Sequence, residues 1–212
     1  MVLAPAEPVL PVALTDPAPG PLRRGLLAWA PVGLAAIGGV ATGAGYAPIE
    51  LWPATLIGVA ALTVSVKASR PGWLLVAAGA AFGLGLTSST LTWMAMITPG
   101  AAAGLIAVVS AWYVLLAVLL RLSATSPCWP LLSAGAWVLV EYAASTVPFG
   151  GFGWLRLGFA MLDSPLAGVL PLAGVGGLGF ATALAANLLV WLGVNPGTRR
   201  ALVATGGVAL LF

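Results

Sequence analysis

Residues 102–120 read AAGLIAVVSAWYVLLAVLL and contain no charged side chain; the next charge along the chain is Arg121. A helix needs about 20 mostly apolar residues to cross the ~30 Å hydrocarbon core of a bilayer. The run is continuous, whereas a strand of a membrane β-barrel alternates apolar and polar residues. This stretch therefore predicts a transmembrane α-helix, and the rest of the chain repeats its pattern.

The composition extends this prediction to the whole chain. Of its 212 residues, 61% are hydrophobic and 6% are charged, and the mean hydropathy is +1.10. A water-soluble protein carries about a quarter of its residues as charges. We therefore predict an all-α integral membrane protein, a bundle of six transmembrane helices plus the start of a seventh. The approximate spans are 26–45, 51–66, 73–96, 102–120, 131–146, 166–194 and, incomplete, 201–212.

The chain divides into two parts of different composition. Residues 1–22 are rich in Pro and Ala and have no basic residue before Arg23, unlike a secretory signal. We predict that they form a disordered arm. Residues 23–212 form the multi-helix transmembrane domain.

The basic residues indicate the orientation. They precede span one or follow spans two, four and six, all on one face: Arg23, Arg24, Lys67, Arg70, Arg121, Arg199 and Arg200. Only Arg156 falls on the other side. By the positive-inside rule the N-terminus is cytoplasmic, and the long loop 147–165 faces outward. The chain has a net charge of +3, but its Lys and Arg residues form no basic stripe, so we expect no nucleic-acid partner.

Several kinds of catalytic centre are excluded by residue type. The chain has no His and one Cys, which excludes an internal disulfide and a Ser/His/Asp set and argues against a Cys/His metal site. We interpret Cys128 as a small apolar residue near a helix start. We assign no catalytic residue, metal or cofactor to the chain.

Glu141 is the one acidic residue within a predicted span. A charged side chain at mid-helix costs ~2.5–3.5 kcal/mol on insertion scales. Either the carboxyl faces a polar cavity or a partner, or it lies near the outer interface, shortly before the loop. Both interpretations remain open from the sequence.

The outer loop combines glycines with aromatic residues and two charges. It reads FGGFGWLRLGFAMLDSP at 149–165 and includes Trp154 and Arg156. We expect it to lie in the interface and touch lipid tails and phosphates, the alternative being an aromatic belt with flexible joints.

A polar patch precedes Trp93 in the third span, TSSTLTW at 87–93. Its hydroxyls either bond to helix carbonyls or line a lipid-access groove. Our candidate lipid-access and outer-loop residues are Glu141, Trp154, Arg156 and Trp93.

Residues 174–179 read GVGGLG and match G-x-G-x-x-G. No soluble strand precedes them and a basic residue stands ~20 residues on, where a dinucleotide site needs an acid. We interpret these glycines, like the pairs Gly39/Gly43 and Gly79/Gly83, as small residues that permit close helix packing.

The order of these features resembles the membrane part of the bacterial apolipoprotein N-acyltransferase family. GYAPIELWP at 45–53 fits its first hairpin, GAAFGLGLTSSTLTWM at 79–94 its third helix, and AWVLVEYAAS at 136–145 the W-x-x-x-E core of its fifth. The outer loop fits G-F-P-W followed by an acid and Pro-Leu. The matching loop residues are Gly151, Phe152, Trp154, Asp163, Pro165 and Leu166. Gly153 replaces the usual Pro, and Ala144-Ser145 stands where the family often has Arg-Gly.

The resemblance implies an enzyme of lipoprotein maturation. Such an enzyme would be a multi-pass protein of the bacterial cytoplasmic membrane, and its active side would face outward. Its acyl donor would be a membrane phospholipid and its acceptor the N-terminal Cys amine of a lipoprotein. In this family the chemistry belongs to a nitrilase-like domain after the seventh helix, with a Glu, Lys and Cys set. No matching motif occurs in this sequence, so the chain is expected to be a fragment that is inactive alone.

Two other functional classes remain as alternatives. One is a stand-alone membrane scaffold or partner subunit completed by a second polypeptide. The other is a small transporter, which would need polar residues at mid-bilayer in several helices or an inverted repeat. Only Glu141 meets the first requirement.

Overall fold

The computed structural model describes residues 21–148 and 150–197, which contain α-helices, short 3₁₀ helices and no β-strand. The α-helices are α1 (Pro21–Gly43), α2 (Trp52–Ala68), α3 (Gly72–Leu91), α4 (Pro99–Ser123), α5 (Trp129–Ala144) and α6 (Leu170–Val194). The 3₁₀ helices are Thr92–Met96, Leu157–Met161 and Pro165–Val169. The prediction of an all-α fold is confirmed for this part of the chain.

Each of the first six predicted ranges overlaps one of these α-helices, and the ends differ by up to five residues. Among the described residues, three segments are long and apolar enough to cross a membrane, namely Gly72–Met96, Pro99–Ser123 and Pro165–Val194. Shorter apolar helices cover Leu27–Gly43 and Trp52–Ala68. α1 begins at Pro21 and so includes the last two residues of the predicted arm, 21–22. Residues 1–20 and the predicted seventh helix, 201–212, lie outside the described residues.

Proline sets where several helices begin. Pro53, Pro99 and Pro130 each lie in the first turn of their helix, where a missing N–H costs no internal hydrogen bond. The helices form a ring: α1 packs on α2 and α3, α3 on α4, α4 on α5, α5 on α6, and α6 returns to α2.

Small residues bring the backbones of α1, α3 and α4 into contact. A Cβ on Gly39 would collide with the carbonyl oxygen of Phe82, and a Cβ on Gly83 would lie 2.7 Å from the Cα of Ser110. Gly79 makes a similar approach to Tyr113. The prediction that these glycines permit close helix packing is confirmed.

The hydroxyls of the polar patch bond to carbonyls of their own helix. Thr87 Oγ1 donates to the Gly83 carbonyl and Thr90 Oγ1 to the Leu86 carbonyl, each at 2.8 Å. Thr87 also lies 3.2 Å from the Ser110 hydroxyl on α4. Of the two interpretations of this patch, the structure therefore supports helix packing.

Successive helices run in opposite directions, so their connections gather at two ends of the bundle. One end carries Lys67 and Arg121; the Arg121 guanidinium donates to the Lys67 and Ser69 carbonyls at the end of α2. We call the other end the loop end, formed by connections 44–51, 92–98 and 145–169.

Candidate functional site

The loop end is recessed where α5 stops. α5 has 16 residues and α4 has 25, which at ~1.5 Å per residue correspond to about 24 Å and about 37 Å. The hydroxyl of Ser123, the last residue of α4, lies 2.9 Å from that of Ser133, so α5 begins about one helical turn beyond the opposite end of α4. α5 therefore ends well short of the α4 start, and the chain after it fills the space.

Glu141 lies in the last turn of α5 and is 8% exposed. Its Oε1 accepts a hydrogen bond from Trp137 Nε1 at 2.9 Å and another from the backbone N–H of Leu157 at 2.7 Å. Each of the two interpretations describes part of this arrangement, because the carboxyl lies shortly before the loop and also has a hydrogen-bonding partner. That partner is the outer loop of the same chain.

The second half of the outer loop folds into the bundle. Leu157 and Met161 are fully buried, and the 3₁₀ helix Leu157–Met161 packs on α6. Leu157 and Met161 therefore pack inside the protein and not in the interface, whereas Phe159 and Leu162 of the same half remain exposed. Trp154 is 63% exposed and remains on the outer surface.

Two candidate residues from distant parts of the sequence meet at the rim of the loop end. The rings of Trp93 and Trp154 stack with centroids 6.1 Å apart and an interplanar angle of 12°. Phe152 lies 5.5 Å from Trp154, centroid to centroid. Exposed tryptophans of this kind are typical of the level where lipid headgroups begin.

Arg156 is held by α5 through a serine. Its Nε donates to Ser145 Oγ at 2.9 Å, and that hydroxyl donates to the Glu141 carbonyl at 2.6 Å. Arg156 is partly buried and forms no ion pair with a carboxylate of the described residues. All four candidate residues therefore lie at the loop end. Trp93 and Trp154 stack on each other, and Glu141 and Arg156 are linked through Ser145.

Sequence reasoning missed Tyr46 as a contact of the site. Its hydroxyl donates to the Leu155 carbonyl at 2.9 Å, which ties the α1–α2 connection to the outer loop. Burial raises the pKa of the Tyr46 phenol well above its usual range, so the hydroxyl stays a donor.

An aromatic cluster below the site was also missed. Trp137 packs edge-on to Phe82 at 6.0 Å, and Tyr113 lies between α3 and α5 at 5.3 Å from Phe82. The i, i+4 spacing of Trp137 and Glu141 places both on one helix face and could have indicated their contact.

Two adjacent openings border these residues and share part of their lining. A small cavity of about 20 Å³, room for roughly one water molecule, is lined by Glu141, Tyr113 and Arg156 among others. A larger groove of about 340 Å³ runs along α4 and the start of the loop. Its walls are mostly apolar and include Ala101, Gly104, Leu105, Val108, Trp112 and Phe152.

The GVGGLG segment acts partly as a bend. Gly174 has φ 64° and ψ −170°, a conformation that only glycine adopts readily, and it breaks α6 near its start. Nothing lies within 4 Å of a Cβ built on Gly174 or Gly176, whereas a Cβ on Gly179 would approach Glu141 Oε2 at 3.3 Å. The packing interpretation is thus wrong for Gly174 and Gly176.

The site can bind and orient groups by hydrogen bonds and charge. In the described part of the chain, no three His, Cys, Asp or Glu side chains converge as a metal site would require. Cys128 is exposed immediately before α5, at the end of the bundle opposite Glu141.

Comparison with known proteins identifies what the chain is similar to. Residues 38–188 match the family model described as the apolipoprotein N-acyltransferase N-terminal domain. This range includes the complete site, from Tyr46 through Gly179.

Three relatives, each named apolipoprotein N-acyltransferase, share close to a third of their aligned residues with the chain. The protein of Nitrosomonas europaea is 32% identical over 82% of this chain and 37% of its own length. The protein of Pseudomonas putida is 32% identical over 74% of this chain and 34% of its own length. The protein of Bordetella bronchiseptica is 32% identical over 87% of this chain and 39% of its own length. The chain thus spans less than two fifths of the length of these relatives, and it belongs to the apolipoprotein N-acyltransferase family through their N-terminal domain.

Proposed function

We propose that this chain is the membrane domain of an apolipoprotein N-acyltransferase, which moves an acyl chain from a phospholipid to the N-terminal Cys amine of a lipoprotein. The observation that carries the proposal is the family match over residues 38–188. The relatives' shared name supports the reaction class. The domain would anchor the acyl-transfer centre, whose motif does not occur in this sequence.

We also propose that residues 23–212 form one domain that crosses the bacterial cytoplasmic membrane several times, with the loop end outward. Lys67, Arg70 and Arg121 all lie at the opposite end, which supports a cytoplasmic position for that end. In this orientation Arg156, Trp93 and Trp154 meet the outer leaflet, from which an outward-facing centre would take its donor.

The role of the loop end in this proposal is to deliver lipid. Glu141 and Tyr46 fix the outer loop at two points, Leu157 and Leu155, so the rim formed by Trp93 and Trp154 keeps a defined position. A fixed rim beside an apolar groove offers the donor lipid a lateral route to the outer face.

The proposal is tested by genetic replacement. The complete open reading frame that encodes these residues is expressed in a bacterium whose own N-acyltransferase can be depleted. Mass spectrometry of lipoprotein N-terminal peptides then reports the third acyl chain. We expect triacylated peptides and continued growth. Peptides that stay diacylated, while the membrane contains the expressed protein, would refute the proposed function.

A further inference from the structure

Arg156 is the one Lys or Arg that the described residues place at the loop end. Its guanidinium forms no ion pair within 4.0 Å with a described carboxylate, although Glu141 lines the same small cavity and interacts with it electrostatically. The terminal nitrogens are not sealed inside the protein and lie beside a mostly apolar groove. The guanidinium is therefore accessible to an anion from outside the described chain.

The guanidinium is held in one orientation. Ser145 accepts from Nε, and the Ser145 hydroxyl is itself fixed by its bond to the Glu141 carbonyl. Within the described residues the two terminal nitrogens have no acceptor, and the side chain lines the small cavity beside the groove. A planar fork held at Nε suits bidentate binding of a phosphate or carboxylate.

The surroundings select among anions. The cavity and the groove share Val109, Trp112, Ala144 and Phe152, so the way to Arg156 passes apolar walls. Trp154 lies two residues before Arg156 in the sequence. Its exposed stack with Trp93 indicates that this part of the loop lies at the level of the lipid headgroups. An anion that arrives attached to an apolar chain fits this approach better than a free ion.

We propose that Arg156 binds the phosphate of an outer-leaflet phospholipid, which enters along the α4 groove. This inference rests on the proposed function, since it places a lipid site on the outward end of that membrane domain. Ser145 acts as a positioning residue for the guanidinium.

Native mass spectrometry of the purified chain in detergent tests the site. Phosphatidylglycerol is titrated in parallel with diacylglycerol of the same acyl chains, which lacks the phosphate. We expect wild type to prefer phosphatidylglycerol and Arg156→Gln to bind it at least about tenfold more weakly, as loss of a charge-assisted hydrogen bond implies. Arg156→Lys, which keeps the charge without the fork, should fall between them. The matched control is Arg70→Gln, an exposed arginine at the opposite end, which should bind like wild type.

Three outcomes would overturn the proposal. They are equal binding of both lipids by wild type, unchanged binding by Arg156→Gln, and full displacement of the lipid by inorganic phosphate at millimolar concentration, which would assign the site to a free anion. The genetic replacement separates this inference from the proposed function. A lipid preference without acylation refutes the function alone, and acylation without a lipid preference refutes the site alone.

Discussion

Replacing Glu141 with alanine should release the outer loop from α5. The change leaves Trp137 Nε1–H and the Leu157 N–H without their shared acceptor. Only the Leu157 bond joins the loop to α5, because Trp137 and Glu141 lie on the same helix. Hydrogen bonds inside membrane proteins are worth ~0.6–1.7 kcal/mol each. Each 1.4 kcal/mol is tenfold in an equilibrium constant, so local opening of the loop should rise about 3-fold to about 16-fold.

Amide hydrogen exchange in lipid nanodiscs measures this opening directly. Peptides that cover 155–161 should lose protection in Glu141→Ala by that factor, while peptides from α3 should exchange as in wild type. Glu141→Gln supplies the matched control because its side-chain carbonyl can accept both hydrogen bonds, and it should stay within a few-fold of wild type. Unchanged protection of 155–161 in Glu141→Ala would show that the carboxylate does not hold the loop.

Three further changes probe the bundle, each by thermal unfolding in detergent. Gly83→Ala should destabilise by about 1–3 kcal/mol because its Cβ meets the backbone of α4, whereas Gly104→Ala, with open space around it, should be neutral; equal effects would contradict the packing argument. A double-mutant cycle of Trp93→Ala and Trp154→Ala should give a coupling of about 0.5–1.5 kcal/mol, and additive effects would exclude the stack. Asn187→Leu removes the side-chain oxygen that accepts from Thr63 Oγ1 on α2, which leaves Thr63 with the Val59 carbonyl, and it should cost ~0.6–1.7 kcal/mol; a more stable variant would contradict this.

The helices could be predicted from the sequence because apolar length and proline positions are local properties. The 102–120 run sits inside α4, and the observed helix extends it only at its ends. Close packing at Gly39 and Gly83 was also predictable, since small residues four apart permit backbone contact.

The inward fold of the loop could not be predicted in this way. The local sequence around Leu157 does not distinguish a buried 3₁₀ helix from a segment that lies in the interface. The 3₁₀ helix is buried because the short α5 leaves space beyond its end, which the loop fills. Tyr46 and Leu155 are 109 residues apart in sequence, so their hydrogen bond depends on how the helices assemble. For Glu141 the sequence identified the residue, but its partner became clear only from the structure.

The bend at Gly174 has a consequence for how this gene can vary. A backbone at φ 64° and ψ −170° costs any residue with a side chain about 1–3 kcal/mol, even where space is open around it. Every missense change of that codon therefore destabilises the fold by a similar amount, whatever residue it introduces. Gly176 is equally uncrowded but has an ordinary backbone angle, so it should accept alanine readily. Among natural variants, position 174 should stay glycine while position 176 should vary.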